Sequence, residues 1–244
     1  MSKIALVTGA AKGIGLETAR QLAQQGIHVF VGARDLNKSE AAVAVLRAEG
    51  LPVEGLALDV TSAADIFNAA YVLESRFGRL DILINNAGVL LDEGGFGVNT
   101  TLSVPLVTVR ETFDSNFFGV IALTQAMLPL LRKSEAGRIV NVSSILASLS
   151  LHATPDSPIY GSKAFAYNVS KTALNGYTVH LAHALRDTAI KVNSAHPGWV
   201  KTDMGGPEAP MELADGAKTS VWLATLPEDG PTGGYFHMAE TLPW

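Results

Sequence analysis

The stretch Lys3-Ile-Ala-Leu-Val-Thr-Gly-Ala-Ala-Lys-Gly-Ile-Gly15 decides the fold. The apolar run 4–7 is too short for a helix and reads as a strand buried on both faces. Glycines 9, 13 and 15 follow at once, and residues 13–25 continue with apolar side chains at three-to-four spacing, the period of a helix. Strand, glycine-rich turn and helix in this order make the first half of a βαβ unit. Glycine lets the backbone turn sharply and approach a pyrophosphate at the positive end of the helix. A plain tight turn is the bland alternative, and the strand-turn-helix placement argues against it.

Working outward, runs at 29–31, 53–58, 82–84, 139–142 and 190–195 repeat the near-continuous apolar pattern. Helical patterns at 38–49, 63–77, 109–131 and 165–185 alternate with them. Such alternation implies right-handed crossovers and a three-layer α/β/α fold. The expectation is a Rossmann-type doubly wound parallel sheet of about seven strands, with one last strand and a tail in 233–244. No linker, repeat or low-complexity segment divides 1–244, which reads as one domain. The irregular segments 89–108, 145–166 and 203–215 follow strands. They should gather above the carboxyl edge of the sheet, where open α/β folds bind ligands.

Composition narrows the function. With 48% hydrophobic and 17% charged residues among 244, the chain can offset its ordering entropy by burial, which excludes disorder. A net charge of −5 and no basic run leave no footprint for nucleic acid or an anionic membrane. The absence of Cys removes disulfides, thiolate metal sites and a Cys nucleophile, and accords with a cytoplasmic location. The first apolar run is too short for a signal peptide. Gly119, Thr124, Gln125 and Pro129 interrupt 117–131, which falls short of the roughly 20 apolar residues of a membrane span. His180 and His183 lack an evident third ligand, so no metal is expected. His196 reads as packing at a strand end, and Asp92-Glu93 as solvated loop carboxylates.

The glycine spacing is Gly-x-x-x-Gly-x-Gly; Asn85-Asn-Ala-Gly88 ends strand four, and Pro197-Gly198 with Thr202 follows strand six. In these motifs the chain resembles the short-chain dehydrogenase/reductase family, from residue 3 to about 206; within it, the loop layout and the Glu240-Thr-Leu-Pro-Trp244 ending resemble the carbonyl reductases more than the acyl-carrier ketoreductases. The resemblance implies a nicotinamide cofactor held by Gly9, Lys12, Gly13, Ile14 and Gly15. Asp59 and Val60 would border the adenine, and Asn86, Ala87 and Gly88 the ribose. Pro197, Gly198, Val200 and Thr202 would meet the nicotinamide, with Thr202 holding its carboxamide. Strand two ends Val31-Gly-Ala-Arg34, so Ala33 stands where an NAD site carries its acid. Arg34 and Lys12 together favour a 2′-phosphate and hence NADP(H) over NAD(H). Asp35 is the rival, as a ribose acid in a shifted register.

Carbonyl reduction needs a proton donor beside the hydride. Tyr167-Asn-Val-Ser-Lys171 places a phenol and an ammonium on one helix face. A cation that close should lower the phenol from its ordinary pKa of about 10. Tyr160 and Lys163 form a rival pair. Tyr160 lies 16 residues after Ser144 and Tyr167 lies 23, and the shorter gap is nearer the family norm. The stripe 167, 171, 174, 178, 181, 185 favours Tyr167, and Pro158 favours a loop at Tyr160. Tyr167 and Lys171 are preferred, which makes 145–166 a loop about ten residues longer than the family norm.

By resemblance Ser144, with Ser143 as rival, would orient the substrate carbonyl. Asn116 falls mid-helix, where Asn is unfavourable and suggests a local backbone adjustment. By resemblance it would hold a water in a proton relay through Lys171, and Lys171 would bind ribose hydroxyls. The implied activity is NADPH-dependent, reversible reduction of a ketone or aldehyde. A non-catalytic NADPH-binding regulator, or an alcohol or hydroxysteroid dehydrogenase working oxidatively, is the alternative. Phe96, Leu146, Leu149, Leu151, Met204 and Met211 are expected to line a pocket for a hydrophobic small molecule. A homo-oligomer, dimer or tetramer, is expected, with a monomer as the alternative.

Overall fold

A computed structural model describes residues 2–244. The chain begins β1 (Ile4–Val7), α1 (Gly13–Gln24), β2 (His28–Ala33), α2 (Leu36–Ala48), β3 (Val53–Ala57), α3 (Ala63–Phe77) and β4 (Ile82–Asn85). Then α4 (Leu106–Phe113), a π-helical turn (Asp114–Phe118) and α5 (Gly119–Leu131) lead to β5 (Arg138–Val142). A 3₁₀ turn (Ile145–Ala147), short α6 (Leu149–Ala153), α7 (Phe165–Ala184) and β6 (Lys191–Ala195) follow. The chain finishes α8 (Leu213–Ala224), β7 (Tyr235–His237) and β8 (Glu240–Thr241).

The strand order is β3-β2-β1-β4-β5-β6-β7-β8. β1 to β7 run parallel, and β8 is antiparallel to β7. The order reverses between β1 and β4, so crossovers leave the sheet on both sides and a crevice opens at their carboxyl ends. Alternation along each strand feeds two cores. Ala5 and Val7 pack with Leu22 of α1, Val43 of α2 and Leu223 of α8. Ile4 and Leu6 pack with Leu73 of α3, Leu123 of α5 and Leu181 of α7. Three layers result, as the sequence pattern predicts. No helix among the described residues is long and apolar enough to cross a membrane.

Three departures have physical causes. The pattern over 109–131 is not one helix: it starts at Leu106 and widens into the π-helical turn around Asn116. The turn delivers Gly119 against the end of β3, where a Cβ would stand 2.6 Å from the Val60 carbonyl oxygen. The tail is a hairpin, turned by Met238 and Ala239 at φ 48° and 67°, and neither residue advertises a left-handed turn. Helix α8 extends from the 203–215 segment. Much of its buried stripe is small or polar (Gly216, Ala217, Thr219, Ser220), so it lacks a strong apolar period.

A polar chain crosses the otherwise apolar α5/α7 face. Asn85 Nδ2 donates to Asn141 Oδ1 (2.8 Å) and to Thr124 Oγ1 (3.1 Å). Asn141 Nδ2 donates to Thr178 Oγ1 (2.9 Å), which bonds Ser194 Oγ (2.8 Å). All are buried, so strands β4, β5 and β6 are registered against α7. Asn141→Leu strips acceptor and donor from this chain and should lower unfolding free energy by about 1–3 kcal/mol, measured by urea denaturation.

Candidate active site

Above the carboxyl ends of β5 and β6 lies a cavity of about 310 Å³ with a mostly apolar lining. Ser143 and Ser144 at the end of β5, Tyr167 on α7 and the 196–200 turn after β6 contribute walls. Ile14 and Thr202 bring in the glycine turn and the segment facing it. Ile145, Leu146, Pro158, Ile159 and Ser162 also line it, so the long 145–166 segment is part of the pocket.

The stripe on α7 is buried along its length, which aims Tyr167 and Lys171 inward. Lys171 Nζ donates to the Val142 carbonyl at 2.8 Å and lies 5.8 Å from the Tyr167 ring centroid. Burial lowers its pKa to about 8. The Ser144 side chain lies near the Tyr167 hydroxyl, and Phe96 meets the Tyr167 ring edge-on at 5.5 Å. Burial pushes the phenol up to about 12, with neighbouring Ser144 acting in the opposite sense. This corrects the expected lowering by Lys171. The ammonium is turned to a strand carbonyl, desolvation dominates, and Tyr167 remains a protonated donor.

Ser144 therefore reaches Tyr167, whereas Ser143 Oγ is buried without a hydrogen-bond partner among the described residues. Tyr160 is exposed and outside any helix, with Lys163 Nζ 5.1 Å from its ring and bonded to the His152 carbonyl. That pair stands apart from the Ser144–Tyr167–Lys171 cluster. Asn116 is fully buried. Its amide bonds both the N–H (2.8 Å) and the carbonyl (2.9 Å) of Val89, and donates to Ser170 Oγ (3.0 Å). A Cβ on Gly88 would stand 3.2 Å from Asn116 Oδ1 and 3.3 Å from Lys171 Nζ. Glycine lets the β4 end approach both.

The cofactor side is a cradle built by close backbone approach. Gly9 (φ +60°) faces Ala87, whose Cα a Cβ would meet at 2.8 Å, and a Cβ on Gly15 would meet Asn86 Nδ2 at 2.4 Å. Thr8 Oγ1 accepts from the N–H groups of Asn86 (3.0 Å) and Ala87 (2.9 Å), locking the two turns together. Helix α1 has no side-chain cap, leaving its first N–H groups open to an anion. These features fit a dinucleotide. Arg34 is exposed just past β2. Asp35 is committed to capping α2, accepting from Asn37 N at 2.9 Å, which weakens its claim as a ribose acid. Lys12 is ion-paired with Asp203, but both are solvent-exposed, so a phosphate can compete.

Asp59 accepts from Thr61 N and Oγ1 and shapes the turn that carries buried Val60. Thr202 Oγ1 accepts from Gly205 N at 2.9 Å, opposite Gly13. Pro197, Gly198 and Val200 line the cavity. His196 Nδ1 accepts from the N–H groups of Ile145 and Gly198. Burial, and then the neighbouring His237, lowers it to about 3, so it packs as a neutral ring.

The short chain dehydrogenase family model matches residues 3–213. The chain belongs to that family. It is 40% identical to a Streptomyces virginiae protein described as a monensin polyketide synthase putative ketoacyl reductase, covering 83% of this chain and 72% of that one. It is 32% identical to carbonyl reductase [NADPH] 1 of Mus musculus, covering 99% of this chain and 98% of that one. The NADPH-bound carbonyl reductase from chicken fatty liver superposes with a TM-score of 0.85 at 27% identity, covering 100% and 99% of the two chains.

Within this short chain dehydrogenase, some expected pocket residues lie elsewhere. Phe96, Leu146 and Met204 line the cavity. Leu149 is exposed beside a smaller hollow, Leu151 packs behind the wall, and Met211 packs against Gly198. The reading of Asp92 as a solvated carboxylate is also wrong: Asp92 is 5% exposed and Glu93 is exposed. Asp92 accepts from the N–H groups of Ala166 and Tyr167, and Thr100 accepts from that of Phe165. The missed signal was Ala164, which gives α7 no local cap.

Below pH 8 the folded chain must hold the Lys171 ammonium out of water, while the unfolded chain keeps its proton up to about 10.5. The unfolded state binds more protons between those values, so this group's contribution to stability rises with pH across that window. Lys171→Met should therefore raise the melting temperature at pH 7 by several degrees while abolishing turnover. The gain should disappear above about pH 10.5, as followed by calorimetry across pH.

Proposed function

We propose that the chain reduces a ketone or aldehyde to an alcohol with NADPH, in a pocket suited to a small hydrophobic substrate. The observation that carries this reading is a buried Tyr167, with Ser144 beside it, at the wall of an apolar cavity that opens onto the glycine turn. NADPH, when bound, supplies the hydride to the carbonyl carbon. Tyr167 gives its proton to the carbonyl oxygen, and Ser144 donates a hydrogen bond that steadies the charge developing there. Gly9, Gly13 and Gly15 admit the pyrophosphate, and Arg34 with Lys12 meets the 2′-phosphate. Lys171 binds the ribose hydroxyls and Asn116 anchors the relay that returns a proton to Tyr167.

The protonated phenol is the form that carbonyl reduction uses as its proton donor. Full-length similarity to the mouse carbonyl reductase and to the NADPH-bound chicken one supports both reaction and cofactor.

The test is NADPH and NADH consumption over a panel of apolar ketones and aldehydes. Tyr167→Phe should lower kcat by about 10²- to 10⁴-fold, and Tyr160→Phe should stay within about twofold. Undiminished turnover by Tyr167→Phe would overturn the assignment. Arg34→Ala should weaken NADPH about tenfold or more and leave NADH nearly unchanged; an initial preference for NADH would remove Arg34's role. Val169 and Val179 are exposed on α7, which supports a homo-oligomer paired through that helix; sedimentation velocity should give a dimer or tetramer.

A further inference from the structure

The helix that carries Tyr167 begins without a cap of its own. Ala164 occupies the N-cap position and offers no side-chain acceptor. Asn168 is the first residue whose N–H finds a carbonyl of the helix start, that of Ala164 at 2.9 Å. The three N–H groups before it are orphans by helix geometry. A distant segment satisfies all three. Phe165 N donates to Thr100 Oγ1 at 2.9 Å, Ala166 N to Asp92 Oδ1 at 3.0 Å and Tyr167 N to Asp92 Oδ2 at 2.9 Å. Thr100 Oγ1 in turn donates to Asp92 Oδ1 at 2.6 Å. Asp92 is 5% exposed and Thr100 4%, so water does not readily replace either.

We infer that Asp92, braced by Thr100, is a positioning residue for the proton donor, fixing the first turn of α7 so that Tyr167 presents its hydroxyl to Ser144. A carboxylate here also faces the positive end of the helix, where charge-assisted bonds are strongest. The same segment puts Phe96 against the Tyr167 ring at 5.5 Å. Tyr167 is thereby held at its backbone by Asp92 and at its ring by Phe96. Without the cap the first turn frays, and the error grows along the side chain toward the hydroxyl. A displacement of about 1 Å at a reacting group can cost about a hundredfold in rate. The wall of the pocket and the orientation of the acid are one structural unit.

The inference rests on Tyr167 being the proton donor, so Tyr167→Phe is measured beside it. In the full chain, Asp92→Ala should lower kcat about ten- to a hundredfold, with NADPH affinity by fluorescence within about twofold. Asp92→Asn, which keeps one acceptor oxygen, should recover part of that loss, and Glu93→Ala should behave as the parent. Without cofactor, amide hydrogen exchange over residues 165–167 should quicken in Asp92→Ala and in the near-isosteric Thr100→Val. Thr100→Val decides the matter if Asp92→Ala does not fold. Parental kcat per NADPH-binding site, or unchanged exchange at 165–167, would overturn the inference while an inactive Tyr167→Phe left the reaction intact. An active Tyr167→Phe would instead remove the reading on which the inference rests.

Discussion

A buried ammonium on a strand carbonyl is the constraint around which this molecule is arranged. Lys171 Nζ donates to Val142 O at 2.8 Å and is almost wholly withdrawn from water. Holding such a charge away from water is costly unless the surrounding groups hydrogen-bond it. Gly88 has no Cβ to crowd the ammonium, and Asn116 is brought beside it by a widened helical turn. The Asn85–Asn141–Thr178 chain then keeps α7 at the correct height over β5. Each of these features weakens local regularity or spends a buried polar group. Together they place a cation and a phenol side by side on one helix face.

The phenol's proton affinity follows from that burial. Desolvation acts on both groups but in opposite senses, lowering the ammonium and raising the phenol. A site tuned only by the cation would hold phenolate more readily and would suit alcohol oxidation. The arrangement seen here keeps the phenol protonated and suits delivery of a proton. The protonation state in which Tyr167 waits is thus a matter of how dry its environment is. The apolar walls contributed by 89–108 and 145–166 are what make it dry.

Much of this was legible in the residues because the information was local. Strand, glycine turn and helix follow one another from Ile4 to Gln24, and the stripe through 167, 171, 174 and 178 needs a single helical period. Asn116 flagged its own irregularity, since Asn is a poor choice inside a helix, and the π-helical turn stands there. What stayed hidden was non-local or unsignalled. Met238 and Ala239 make a left-handed turn without turn residues, and α8 buries Gly216, Ala217, Thr219 and Ser220 beside its few large apolar side chains. Asp92 and Tyr167 are 75 residues apart, so no window of sequence joins a loop carboxylate to a helix lacking its cap.

That separation has a consequence for how the pocket can change. A helix capped by its own preceding residue would leave the 89–108 segment free to vary with the substrate. Here the segment carries both Phe96, which lines the cavity, and the acceptors that finish α7. Substitutions that reshape the wall therefore act on the acid as well, unless Asp92 and Thr100 keep their places. The 145–166 segment is tied to the same helix: Asn168 Nδ2 donates to Ser162 O at 2.8 Å, Thr172 Oγ1 donates to Ala147 O at 3.0 Å, and Leu146 and Ile159 pack with Tyr167. Both loops that build the cavity thus hold the helix that bears the acid, the first at its backbone and the second at its side chains, so a change of shape in either reaches proton transfer.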